Sequence, residues 1–327
     1  MKIVLPGGTG QLGNILSRAF RADGHEVVIL ARRPTANAAR VVTWDAESLG
    51  DWVREIDGAD VIINLAGRSV NCRYHARNRR EIMKSRVRST RVIGQAINQS
   101  NRPPRIWLQS STATIYAHRY DAPNDEATGI LGGDEPSAPD TWRFSIDVAK
   151  AWEAAAMEIN TPATRRVLLR SSMVTSPDPG GVFDVLMKLV AWRLGGTNGT
   201  GLQFVSWIHD TDFTNAIRFL ICRDDLSGPV NICSPNPLPN REFMAQLRTA
   251  ANVRLGLPAT RWMLEIGAFV MRTETELLLK SRRVVPGRLL DSGFRFQFPT
   301  WLDAARDLVN RRSTPAAPSP RSPSSAR

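Results

Sequence analysis

The sequence predicts an α/β protein, a doubly wound parallel sheet with a smaller, mainly helical C-terminal lobe. Three observations lead there. Short, almost wholly apolar runs recur through the first half of the chain. Helical patterns separate most of them, and a glycine-rich turn joins the first run to the first helix. Strands buried on both faces read as continuous apolar runs, and parallel strands need a crossover, usually a helix, between them.

The first run is 2–6 (KIVLP), followed by GGTGQLG. Leu12, Ile15, Leu16, Ala19 and Phe20 then fall on one face at three- and four-residue spacing, which predicts an amphipathic helix. Gly24 closes it as a left-handed cap. Further strands are predicted at 26–30 (EVVIL), 41–44 (VVTW), 61–67 (VIINLAG), 106–112 (IWLQSST) and 166–172 (RVLLRSS). Helices are predicted over 47–56, 78–98 and 143–158. These elements assign 1–175 to a sheet domain, with segments around 204–222 packing back on it.

After residue 175 the rhythm changes. Gly/Pro-rich loops stand at 176–181 and 194–201, and FVSWIHDTD at 204–212 reads as a strand entering a helix of 212–222 capped by Asp210 or Thr211. Residues 240–311 read as mainly helical, with apolar Phe243, Leu247, Trp262, Ile266, Phe269 and Leu277 to Leu279. A lobe is therefore expected over 176–311. The end, 312–327, is dominated by Pro, Ser and Ala and is expected to be disordered.

Composition narrows the function classes. Of 327 residues, 42% are hydrophobic and 23% charged, so most of the chain can bury a core. No run approaches the ~18 apolar residues of a membrane span, and no secretory signal precedes the first strand; a cytoplasmic location is the expectation. Cys72, Cys222 and Cys233 are odd in number and lack Cys-x-x-Cys spacing, against a disulfide framework or zinc site. The net charge of +12 is partly local: nine cations and one anion, Glu81, lie between Arg68 and Arg91. Such a window suits a phosphate-facing site, a nucleic-acid patch or a solvated arginine-rich helix. It lacks interleaved aromatics beyond Tyr74, so nucleic-acid binding is placed last.

Gly7, Gly10 and Gly13 form G-x-x-G-x-x-G between a strand and an amphipathic helix. That context suits a dinucleotide pyrophosphate: a tight turn, close backbone approach, and a helix N-terminus with free N–H groups. The expected sheet is thus Rossmann-like. Where an acidic residue would select NAD, the second strand ends in Ala31, Arg32 and Arg33, and two guanidiniums favour the 2′-phosphate of NADP.

With GGTGQLG, NLAG at 64–67 and SSTATIY at 110–116, the chain resembles the extended and atypical short-chain dehydrogenase/reductases. KSR at 84–86, SWIH at 206–209, GPVNICSPNPLPNREF at 228–243 and RVVPGRLLDSGFRFQFPT at 283–300 resemble the subgroup called epimerase-family proteins, which has a C-terminal domain of unassigned function, here 240–305. The resemblance implies cofactor contacts from Gly7, Gly10, Gln11, Leu12, Gly13, Arg32, Arg33, Leu65, Ala66, Gly67, Glu81, Arg86 and Val174. It implies an NADP-dependent epimerase, dehydratase or reductase acting on a small molecule, with a nucleotide sugar suggested by the fold.

The superfamily normally uses Tyr-x-x-x-Lys, in which lysine lowers the tyrosine pKa for proton exchange. Here Lys150 is present, but Ile146 stands four residues before it. Thr112 matches the Ser/Thr position after the fifth strand. Tyr116 is the nearest phenol and a substitute acid/base candidate, and His209 is a candidate substrate contact. Each also has a plain structural reading: a strand-end cap, a core phenol, a buried histidine. The missing tyrosine leaves a second function open, an NADP-binding sensor or scaffold without turnover.

Overall fold

The computed structural model describes residues 1–34, 39–135, 139–259 and 279–313. Seven parallel strands form the main sheet: β1 (Lys2–Pro6), β2 (Glu26–Ala31), β3 (Arg40–Thr43), β4 (Val61–Asn64), β5 (Ile106–Thr112), β6 (Arg165–Ser171) and β10 (Gly228–Ile232). Their order is β10-β6-β5-β4-β1-β2-β3, so the direction of winding reverses between β1 and β4. Open α/β sheets bind ligands at the carboxyl edge beside such a reversal.

Both faces are covered. On one, Ile3, Leu5, Ile29 and Leu108 pack against Leu16 and Phe20 of α1 (Gln11–Ala22) and Phe213, Ile217 and Leu220 of α6 (Asp210–Cys222). On the other, Val4, Val28, Ile62 and Trp107 meet Val92, Ile93 and Ala96 of α3 (Ala76–Asn98) and Ala156 of α4 (Asp140–Met157). α1 stops as expected, with Gly24 at φ +78° donating to Arg21 O.

A third cluster lies outside the sheet. Phe183 of α5 (Val182–Ala191), Phe243 and Leu247 of α7 (Asn240–Ala250) and Trp301 and Leu308 of α9 (Trp301–Ser313) pack on Trp207. Phe243 stacks on Trp301 at 4.1 Å, and the Trp301 indole donates to Phe243 O. Two small strand pairs join this layer to the sheet edge: β7 (Met173–Thr175) with β9 (Trp207–His209), and β8 (Phe204–Val205) with β11 (Leu238–Pro239). The short helix α8 (Gly287–Asp291) packs beside β10.

Four expectations need correction. The helix predicted over 47–56 shortens to α2 (Val53–Ile56), because Asp45 Oδ1 accepts the Glu47 and Ser48 N–H groups and holds a turn. The seventh strand, Gly228–Ile232, comes from chain assigned to the C-terminal lobe. Pro229 hides it in the sequence, and it is tolerated because β10 is an edge strand. The cap of α6 is His209, not Asp210 or Thr211. Residues 312 and 313, assigned to the tail, instead close α9, which runs through Ser313. Trp262, Ile266, Phe269, Leu277, Leu278 and residues 314–327 lie outside the described residues.

Candidate active site

The glycine loop is built from three different requirements. Gly7 has φ +74°, and a Cβ there would lie 2.6 Å from Ala66 Cα, so conformation and crowding both demand glycine. A Cβ on Gly13 would fall 2.2 Å from Gly8 O, because the first turn of α1 rides directly on the loop. Gly10 is otherwise: its φ of −79° suits any residue, and a Cβ would meet only Gly7 O, at 4.0 Å. Its bare face is open. Among the described residues no side chain caps α1, so its first N–H groups stay available, and Gln11 Nε2 is buried with no hydrogen-bond partner among them. An uncapped helix start with an open glycine face fits a diphosphate.

The walls of this groove are fixed. Leu65 N donates to Pro6 O at 2.8 Å, and Ala66 N donates to Asn64 Oδ1 at 3.1 Å. Asn64 is locked in turn by Gln109 Oε1 at 2.9 Å. Gly67 lies against Arg86, where a Cβ would come 3.3 Å from its Cγ. Arg32 and Arg33 are exposed just beyond β2. Val174 is buried in β7, and Glu81 is exposed on α3.

Beyond the groove lies a cavity of about 240 Å³. Thr112 and Leu12 line it, with Arg86 at one side. Hydroxyls of Ser111, Thr112, Thr114, Ser171 and Ser172 come from the ends of β5 and β6, while Phe144, Val148 and Trp152 come from α4. Thr112 Oγ1 accepts the Thr114 N–H at 3.2 Å, so its own proton is free to donate. Ser111 Oγ donates to Glu153 Oε1 at 2.6 Å, so its lone pairs remain to accept. Arg86 stacks on Trp152 at 4.9 Å and donates to Arg68 O and Ile82 O. Burial pushes its pKa down to about 10, and among the described residues no carboxylate pairs with it.

Thr112, Leu12 and Arg86 are therefore brought together; Tyr116, Lys150 and His209 are not. Tyr116 is 2% exposed and points away from the cavity wall, donating to Asn231 Oδ1 at 3.0 Å and accepting from Arg170 at 2.9 Å. Burial raises its pKa, against the pull of Arg170. Lys150 Nζ lies over Gly133, off the cavity, and Ile146 before it is fully buried. His209 is fully buried at the start of α6. Its Nδ1 accepts the Thr211 N–H and its Nε2 faces Asp307 Oδ2 at 3.0 Å, which sets the proton on Nε2. The ring stacks on Phe298 and ties α6 to α9.

That burial gives a pH signature. Desolvation lowers the His209 pKa in the fold, outweighing Asp210 and Asp307, and burial likewise lowers that of His118. The unfolded chain, with histidine near ~6.5, then takes up protons first. Stability is full above that value and is lost as pH falls through it toward the depressed folded values. Urea midpoints should decline between pH 7.5 and pH 5.5 (roughly one unit either side of the unfolded value). The decline should be shallower in His209→Gln; an equal slope in both proteins would refute the assignment.

The sequence reading missed the aromatic wall. Phe144, Val148 and Trp152 recur every four residues along α4, a stripe legible beforehand but indistinguishable from an ordinary core face. Part of the basic window is paired with carboxylates. Arg79 meets Asp140 at 2.6 Å, Arg91 forks onto Glu158, and Lys84 and Arg88 share Glu47.

Comparison with known proteins agrees with the fold. Epimerase family protein YfhF of Bacillus subtilis is 28% identical over 317 residues, 96% of this chain and 100% of that protein. Human epimerase family protein SDR39U1 is 28% identical over 312 residues, 94% of this chain and 100% of the relative. The crystal structure of its isoform 2 with NADPH aligns at a TM-score of 0.82 and 27% identity, covering 95% of this chain and 99% of that one. UDP-N-acetylglucosamine 4-epimerase from Bacillus cereus, at 17% identity and a TM-score of 0.70 over 97% and 99% of the two chains, shares the fold. Residues 259–308 match a domain of unknown function, DUF1731. Residues 3–233 match the NAD dependent epimerase/dehydratase family, and the chain belongs to that family.

Proposed function

We propose that this protein binds NADP(H) and interconverts an alcohol and a carbonyl on a small molecule held in the cavity beside Thr112. One observation carries the reading: an uncapped helix start with an open glycine face opens, at the winding reversal of the sheet, toward a hydroxyl-rimmed cavity. The human relative crystallised with NADPH supports the cofactor.

In this reading Gly7, Gly10, Gln11, Leu12 and Gly13 hold the diphosphate against the α1 N-terminus. Arg32 and Arg33 fork onto the adenosine 2′-phosphate. Leu65, Ala66, Gly67 and Val174 flank the groove, with Glu81 and Arg86 contributed by α3. The nicotinamide, when bound, supplies the hydride acceptor or donor. The protein's own residues handle the oxygen. Thr112 donates to a carbonyl, and Ser111, its proton committed to Glu153, accepts from an alcohol. Both orient the oxygen without the absent tyrosine, and the proton that accompanies the hydride is exchanged with solvent water.

Calorimetry with NADPH and NADH tests the cofactor. NADPH should bind more tightly, and Arg32→Ala with Arg33→Ala should remove about 1.5–3 kcal/mol of that preference, the range for hydrogen bonds to charged groups, roughly ten- to 150-fold. Equal affinity for the two dinucleotides in the unaltered protein would defeat the reading.

A further inference from the structure

We infer that the cavity takes a small aromatic carbonyl or alcohol compound, one ring in size, and not a nucleotide sugar. The inference rests on the proposed NADP(H) reading for the placement of the reaction, and it adds the substrate class.

Size is the first argument. The cavity holds about 240 Å³, below the ~300–1,000 Å³ of pockets that enclose drug-sized ligands. A nucleotide sugar, with base, two sugars and a diphosphate, is larger than most such ligands. A reacting nicotinamide would share the same space and leave less of it.

Lining chemistry is the second. Tyr74, Phe144 and Trp152 form one wall, filled in by Val70, Ile82 and Val148. Flat rings offer offset-stacked or edge-to-face contacts to another ring. A sugar's hydroxyls would find partners at Ser145, Arg86 and Arg282, which also line the cavity, but none on the rings themselves.

The wall is also held in place before any ligand arrives. Tyr74 and Phe144 meet edge to face at 5.2 Å. Arg79 lies over Phe144, donates to Tyr74 O at 2.8 Å and bonds Asp140 at 2.6 Å, so it ties the start of α3 to the start of α4. The Trp152 indole is fixed by Thr90 Oγ1 at 3.0 Å. A fixed apolar slot costs little ordering on binding but cannot widen easily for a larger ligand. Thr112 also lines the cavity, with a hydroxyl proton free to donate to an alcohol or carbonyl oxygen.

The test is calorimetry on the whole protein, with and without saturating NADPH, using benzaldehyde, acetophenone, 4-carboxybenzaldehyde and UDP-glucose. At least one ring compound should bind, and UDP-glucose should neither bind nor compete with it. Phe144→Leu should weaken that binding at least about tenfold while leaving NADPH affinity unchanged and lowering the thermal midpoint of the free protein only slightly, through the lost contact with Tyr74. Binding of UDP-glucose as tight as the best ring compound, or of no ring compound under either condition, overturns the inference. So does a Phe144→Leu variant that binds the ring compound as the parent does. Failure of NADPH to bind would instead defeat the cofactor reading, since the arm without NADPH still reports on the slot.

Discussion

Gly13→Ala should cripple the protein twice over, in stability and in dinucleotide binding. The new Cβ would sit 2.2 Å from Gly8 O and 2.4 Å from Gly8 Cα, and backbone cannot yield as a side-chain tip can. Overpacking of this kind costs about 1–3 kcal/mol. The shift it forces between loop and helix should reduce NADPH affinity by at least ~100-fold, about 2.7 kcal/mol. Gly10→Ser is the informative companion. Serine is a good helix N-cap and its Cβ meets nothing closer than 4.0 Å, so urea unfolding should change by less than ~0.5 kcal/mol. Yet its side chain occupies the open face and its hydroxyl takes the helix-start N–H groups, so affinity should fall nearly as far. A Gly10→Ser protein that binds NADPH like the parent would show that this loop does not grip the cofactor.

Arg170→Leu should cost about 3–5 kcal/mol of stability, the usual penalty for leaving one charge of a buried pair uncompensated. Arg170 and Glu153 are both buried and joined by two hydrogen bonds, at 2.9 and 2.8 Å. Burial works against the arginine's charge, but Glu153 and Tyr116 together hold its pKa above the ordinary value. Removal of the guanidinium strands the Glu153 carboxylate and leaves Tyr116 with one partner, Asn231. The loss reaches the cavity, because Glu153 also orients Ser111. Replacement of both charges, Arg170→Leu with Glu153→Leu, should recover part of the stability, since apolar substitutes for a whole buried pair are often near neutral. Urea unfolding of the two variants checks this; equal losses in single and double variants would mean the pair is not the source.

Short-range features were legible in the chain. The six strands with almost wholly apolar runs, the Gly24 stop and the glycine turn depend on neighbours a few residues away. Their side-chain pattern and backbone freedom are written locally. The place of Thr112 at the end of β5, on the sheet's carboxyl edge, was legible for the same reason. The seventh strand was not legible, because its Pro229 is acceptable only at a sheet edge, and edge position is a property of the assembled sheet.

Side-chain direction belonged to the tertiary structure alone. Tyr116 lies four residues from Thr112, yet the turn Ala113–Ile115 swings it toward Asn231, 115 positions along the chain. His209 looked like a substrate contact until Asp307, 98 residues away, took its Nε2. The cavity itself joins α3, α4 and the ends of β5 and β6, and no sequence spacing states how far apart two helices pack. What the sequence determined was the main elements and the glycine loop between β1 and α1. What only the fold decided was which polar groups are already paired, since a buried group takes whatever partner packing brings within reach.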